Sequence, residues 1–218
     1  MTVTIKPIGE LERRIAATVG EQGRWRWYHG LAFYLVVQGL TFGLGGLVSL
    51  ARGNKGRSTR ETFFGDVAYF KRLKQAKIAP PSWAFGPAWT LNNLSVIWGT
   101  LRVLNKPEGT PGRNTYLALQ AATWLDFVFF NAAYFSLRSP INAFILTLLF
   151  FCLTVASGLV AIFRLKDTRV ALSLATLFAW LIVALSAAAA QALWNRDDLY
   201  NVDPFVDPNP ALVKEIVN

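Results

Sequence analysis

Pro80-Pro81-Ser82-Trp83-Ala84-Phe85-Gly86-Pro87-Ala88-Trp89-Thr90 decides the fold of this chain, because it lies where a basic, water-facing loop turns apolar. Neither leading proline can donate a backbone hydrogen bond, and each restrains the residue before it, so the chain arrives extended. Trp83 and Trp89 follow at the depth where aromatic rings settle, between lipid headgroups and hydrocarbon. Pro87 falls in the first turns of the helix that follows, where its missing N–H is least costly or makes a kink. The stretch therefore predicts the mouth of a membrane-crossing helix.

The composition agrees. Apolar residues make up 53% of the 218 and charged ones 16%, with a mean hydropathy of +0.34, too apolar for a water-soluble domain of this size. Apolar runs at 27–50, 83–104, 116–137, 141–163 and 170–194 each hold about the 20 residues that a helix needs to cross roughly 30 Å of hydrocarbon. Backbone polar groups in lipid must be satisfied within the segment, so such runs form helices. The expectation is an all-α, multi-pass integral membrane protein with five transmembrane helices in one bundle. The first run is too long for a cleaved leader. Gly39 and Gly43 within it are either a small-residue packing pair or glycines tolerated in a membrane helix. The single cysteine, Cys152, allows no internal disulfide.

A net charge of +9 raises the question of nucleic acid, but the Lys and Arg residues flank the spans and line no single soluble face. Anionic headgroups of the lipid bilayer are the partner this pattern fits, not nucleic acid. Loop one alone carries Arg52, Lys55, Arg57, Arg60, Lys71, Arg72, Lys74 and Lys77, which leans it and the C-terminus toward the cytoplasm.

Residues 1–26 read as a polar N-terminal tail with a short helix at 10–17, residues 27–195 as the five-helix membrane domain, and residues 196–218 as a loose acidic C-terminal tail. In loop one, Ser58 and Glu61 are spaced as a capping box. Phe63, Val67 and Phe70 recur at helical spacing beside Lys71, Arg72 and Lys74. That pattern predicts an amphipathic helix, lying in the interface or closing the bundle mouth as a lid.

The Pro80–Thr90 stretch resembles the signature of the translocator protein (TspO/MBR) family, whose second membrane helix opens with Pro-Pro-x-Trp-x-Phe-x-x-x-Trp-Thr. Every spacing is met without a gap. The likeness spans residues 69–195. Tyr69-Phe70-Lys71-Arg72-Leu73 sits in the register of a family Trp-Tyr-x-x-Leu. Gln120 and Phe129-Phe130 parallel a Gln…Phe-Phe pattern, with spacing that differs by about two residues. Asp167, Trp180 and Asn195 match an acidic residue, a Trp and an Asn of the fifth helix. Thr176-Leu177 replaces Pro-Tyr, Ala188 replaces a mid-helix Asn, and Asn93 replaces a Tyr. These departures fall where ligands would be held.

The resemblance implies a five-helix bundle, usually a homodimer, that binds hydrophobic small molecules, chiefly porphyrins and other tetrapyrroles or sterols. It implies roles in transport, sensing or tetrapyrrole handling, and no cofactor beyond a porphyrin or haem held as ligand. The sterol-binding motif sometimes placed at the fifth helix needs a basic residue soon after its Tyr, and Tyr200 has none nearby.

Among chemistry-bearing residues Asp126 stands out, since a carboxylate near the middle of a span costs about 2.5–3.5 kcal/mol on insertion scales. It reads either as a polar anchor or proton donor in a ligand cavity, or as a structural carboxyl hydrogen-bonded to Asn92, Asn93 or Asn131. Trp83, Phe85, Trp89 and Trp180 are candidate walls for a flat ligand, with Trp83 equally suited to interface anchoring. Asn92 and Asn93 either meet polar ligand groups or bridge helices. His29 reads as a boundary residue, and Arg102 as one that snorkels to the surface. The sequence holds no metal-ligand cluster, nucleophile triad, P-loop or dinucleotide fingerprint.

The expected function is binding, with transport as its extension, of a bulky apolar ligand at Trp89, Asn92, Asn93, Asp126, Trp180, Phe85 and Trp83. The alternative is a membrane-bound isomerase or cyclase of lipid or terpenoid biosynthesis, with Asp126 as its acid.

Overall fold

A computed structural model describes residues 13, 14, 17, 23–53 and 67–214. The short N-terminal helix at 10–17 and the capping box at Ser58–Glu61 fall largely or wholly outside these residues. The long helices are α1 (Trp27–Ala51), α3 (Ser82–Leu104), α4 (Arg113–Asn131), α5 (Pro140–Phe163) and α7 (Ala175–Trp194). Between them lie α2 (Val67–Arg72) in loop one and α6 (Thr168–Ser173), which leads into α7 across Leu174. A π-turn at Ala132–Ser136 extends α4, and a short 3₁₀ turn at Pro210–Leu212 follows α7.

Among the described residues three segments are apolar and long enough to cross a bilayer by themselves: Trp27–Ala51, Pro140–Phe163 and Thr168–Trp194. The other two helices have the length but dilute their apolar content with polar residues. Those residues face inward: Asn92 and Asn93 on α3, and Gln120, Thr123, Asp126 and Asn131 on α4, are all buried. Lipid meets Leu91, Leu94 and Trp98 on α3, and Leu125 and Phe129 on α4. Packing runs in a closed ring, α1 against α3, α3 against α6 and α7, α7 against α5, α5 against α4, and α4 back against α1. This is the all-α, five-helix membrane bundle the sequence predicts.

Close approach sets two of these seams. A Cβ on Gly99 would collide with Ser173 Oγ, so α6 lies directly on α3, where Ser95 Oγ donates to the Ser173 carbonyl at 2.8 Å. A Cβ on Gly45 would collide with Asn131 Nδ2, and Ser136 Oγ donates to the Gly45 carbonyl at 2.8 Å. Gly39 and Gly43 do not serve this way, since no described atom lies within 4 Å of where their Cβ would be. The packing glycines of α1 are Gly30 and Gly45 instead.

Asp167 ties α3 to the α5–α6 corner. Its carboxylate accepts from Arg102 Nε at 2.9 and 3.1 Å, from Lys106 Nζ at 2.7 Å, and from the Val170 N–H at 3.3 Å. Arg102 is therefore an ion-pair partner and not simply a snorkelling side chain. Burial pushes the Asp167 carboxyl upward, but the Lys106 and Arg102 contacts and the Val170 N–H outweigh it and hold it below the ordinary carboxylate value.

Residues 196–214 are docked, not loose. Asp197, 1% exposed, accepts from Ser139 Oγ at 2.6 Å and the Ile141 N–H at 3.1 Å, and from the Leu199 and Tyr200 N–H groups at 3.0 Å. It thereby satisfies donors at the start of α5 and closes its own turn. Asn195 holds loop one, its Oδ1 accepting from the Lys74 N–H at 2.7 Å while its Nδ2 donates to the Lys74 carbonyl at 3.0 Å.

Two stability outcomes follow from these anchors. Asp197→Ala leaves buried donors unmet and lowers unfolding free energy by about 3 kcal/mol, read as a lower thermal midpoint in detergent. The Asp167 contribution has a depressed folded-state pKa, so it is present above the unfolded value of about 4 and lost as pH falls through the folded one. The midpoint difference between wild type and Asp167→Asn should be clear at neutral pH and shrink below about pH 4.

Candidate functional site

At the end of the bundle where α3 begins, a cavity of about 420 Å³ is walled by α1, α3, α4 with its π-turn, α5 and α7. Helical spacing places its walls. Phe85 and Trp89 lie four residues apart on α3, and Trp180, Ala184, Ala187, Ala188 and Gln191 repeat along one face of α7. The alanines leave the space that the aromatic rings surround.

The rings form a continuous chain. Phe70 meets Phe85 edge-on at 5.6 Å between centroids, and Phe85 meets Trp180 at 5.4 Å. Trp180 meets Trp89 at 6.4 Å, and Trp89 stacks on Phe150 at 5.6 Å with only 9° between the planes. Phe127 closes on the Trp89 edge at 5.5 Å. Edge-to-face and offset contacts of this kind are favourable beyond the area they bury, so each ring holds its neighbour in place.

The π-turn supplies the opposite wall. Leu137 N–H donates to the Ala132 carbonyl at 3.0 Å, a spacing of five residues that widens the last turn of α4. Phe130, Asn131, Tyr134 and Phe135 all line the cavity as a result. Tyr134 Oη donates to Gln191 Oε1 at 2.7 Å. No charged side chain lines the cavity among the described residues.

Phe70, Ala79 and Ser82 bring loop one to the mouth. The described part of the expected amphipathic segment, α2, packs there: Tyr69 and Leu73 are buried with Tyr134 and Ala143. The C-terminal segment straps this loop from outside. Lys77 N–H donates to the Leu212 carbonyl at 2.9 Å, and Lys214 N–H to the Gln75 carbonyl at 2.8 Å.

Of the residues singled out from sequence, Phe85, Trp89 and Trp180 line the cavity. Trp83 points away and is 75% exposed, the position of an interface anchor. Asn92, Asn93 and Asp126 are buried but do not line it. The hydrogen bonds from Asn92, Asn93 or Asn131 to Asp126 are absent: neither carboxylate oxygen has a partner among the described residues. Nor do Asn92 Nδ2 and Asn93 Nδ2 bridge to another described side chain. His29 accepts from the Arg26 N–H through Nδ1 at 2.8 Å and finishes the start of α1 away from the cavity. Among the described residues no group of His, Cys, Asp and Glu could hold a metal ion.

Sequence reasoning passed over Phe127, Tyr134, Phe150 and Gln191. Gln191 carried a signal, as a lone amide between Ala187–Ala190 and Ala192-Leu193 near the end of an apolar span. The phenylalanines carried none, being common on lipid-facing and cavity-facing helix surfaces alike.

The strap makes a testable claim. Deleting residues 208–218 should speed amide hydrogen exchange at 74–79 while exchange within α5 and α7 stays as in the full chain. Equal protection of 74–79 in both proteins would show that the strap does not hold the loop.

The model of the TspO/MBR family matches residues 36–194, the region that contains all five spans apart from the first turns of α1. No curated protein matches the chain. With a helical bundle closed in a ring, a cavity at the mouth of α3 and a match over well over half its length, the chain belongs to the TspO/MBR family of membrane proteins.

Proposed function

We propose that this protein holds a bulky, flat apolar ligand of the tetrapyrrole or sterol kind in the cavity between its helices, and exchanges it with the bilayer. The observation that carries this reading is the chain of rings from Phe70 through Phe85, Trp180 and Trp89 to Phe150 around about 420 Å³ of space. That volume lies within the roughly 300–1,000 Å³ range of small-molecule sites, and the wall is mostly apolar with a few polar groups, as such sites are. A flat ligand would stack against aromatic faces, and loop one would cover it.

Phe85, Trp89 and Trp180 make direct contact in this reading. Asn92, Asn93 and Asp126 act at most through the packing behind the wall, and Trp83 anchors the mouth at the headgroup level. The alternative of an enzyme with Asp126 as its acid finds no support at the cavity, because Asp126 is not part of the wall.

Tryptophan fluorescence in detergent tests the proposal directly, since Trp89 and Trp180 are both reporters in the wall. Titration with protoporphyrin IX dimethyl ester should give saturable quenching at micromolar concentration. Ala188→Phe, which fills the cavity from α7, should weaken binding about tenfold or more. Non-saturable quenching, equal in both proteins, would mean partition into the micelle and would sink the proposal.

A further inference from the structure

Gln191 is 4% exposed and lines the cavity, in a helix whose other lining side chains are Trp180, Leu181, Ala184, Ala187 and Ala188. Its Oε1 is engaged by Tyr134 Oη, and Tyr134 is itself 4% exposed on the π-turn. In this bond the amide oxygen faces Tyr134 and Nε2 is turned away from it. Nε2 has no hydrogen-bond partner among the described residues. A buried amide donor is costly to leave unmet in an apolar wall, and a ligand oxygen or nitrogen is the group that would meet it. The described wall offers no cation. An ionised carboxylate placed within it would lose its hydration without gaining a counter-charge, which a neutral acceptor avoids.

We infer that the cavity selects an uncharged ligand whose hydrogen-bond acceptor, an ester, ketone, ether or hydroxyl oxygen, is received by Gln191 Nε2. Tyr134 is a positioning residue for that amide. The inference rests on the binding reading above and narrows it: of two ligands with the same flat apolar body, the neutral acceptor-bearing one is held and its carboxylate form is not. This gives the π-turn a purpose as well. A regular helix through Ala132–Ser136 would rotate Tyr134 relative to Phe130, and the bond to Gln191 across the cavity depends on where that turn puts it.

Three porphyrins with one chromophore separate the possibilities: protoporphyrin IX dimethyl ester, protoporphyrin IX with free carboxylates at pH 8, and etioporphyrin, which carries only alkyl groups. Each is titrated by tryptophan quenching into the full chain, Gln191→Leu and Tyr134→Phe, with thermal midpoints recorded to confirm folding. The ester should bind about tenfold tighter than either other porphyrin in wild type. Gln191→Leu should erase that advantage and leave etioporphyrin unchanged. Tyr134→Phe should reduce it in part, because the amide stays but is no longer held.

Equal or tighter binding of the free carboxylate would overturn the inference, as would loss of ester and etioporphyrin affinity by the same factor in Gln191→Leu. In either case the cavity would still be a ligand site. Failure of all three porphyrins to bind wild type saturably would instead overturn the binding reading itself, and this inference with it.

Discussion

Hydrocarbon offers no hydrogen bonds, and the arrangement of this protein follows from that. Helices face lipid mainly with apolar side chains, so a polar residue within a span either turns toward another helix or, as Thr90 and Ser186 do, bonds a carbonyl of its own helix. The two helices with the most polar content, α3 and α4, accordingly bury Asn92, Asn93, Gln120, Thr123 and Asp126. Gln120 Nε2 finds Ser157 Oγ on α5 at 2.9 Å, and Ser95 finds the α6 backbone. Inward polar groups and outward leucines together fix the rotation of each helix about its axis. With those rotations set, the five helices close into a ring and not a layer.

A ring of five helices leaves space at its centre unless large side chains fill it. Toward the α6 end it is filled, by Val96, Ile97, Val103, Tyr116 and Leu174. Toward the start of α3 the α7 face carries Ala184, Ala187 and Ala188, and the space stays open. Rings from four helices and loop one meet around it, each in van der Waals contact with the next. The site is thus made by a change in side-chain size along one helix face, with aromatic neighbours that cannot collapse into the gap.

The ends of the bundle obey the other solvent. Asp167 sits where α5 gives way to α6 and gathers Arg102 and Lys106 in the headgroup zone, where charged pairs remain stable. At the opposite end Asp197 and Asn195 use buried hydrogen bonds to fold the chain after α7 back over the start of α5 and loop one. Backbone pairing of residues 75–77 with 212–214 then lays the last described residues along the outside of loop one. This segment lies beyond the region matched by the family.

Helix number, helix type and the membrane setting were legible in the sequence because they depend on local quantities: run length, apolar content and the Pro80–Thr90 punctuation. The aromatic identity of Phe85, Trp89 and Trp180 was legible for the same reason. Facing was not. Asp126 drew attention by its cost in lipid, yet it lies buried off the cavity, while Tyr134 and Gln191 meet across it. An acidic segment that reads as loose became a strap because its partners, Ser139 and residues 75–77, are far away in sequence. The sequence by itself determined that this chain crosses the membrane as five helices with an aromatic entrance, since each run carries its own solvent preference. Only the tertiary structure decided which side chains share the cavity, because that depends on helix rotation, a π-turn and contacts between residues more than fifty positions apart.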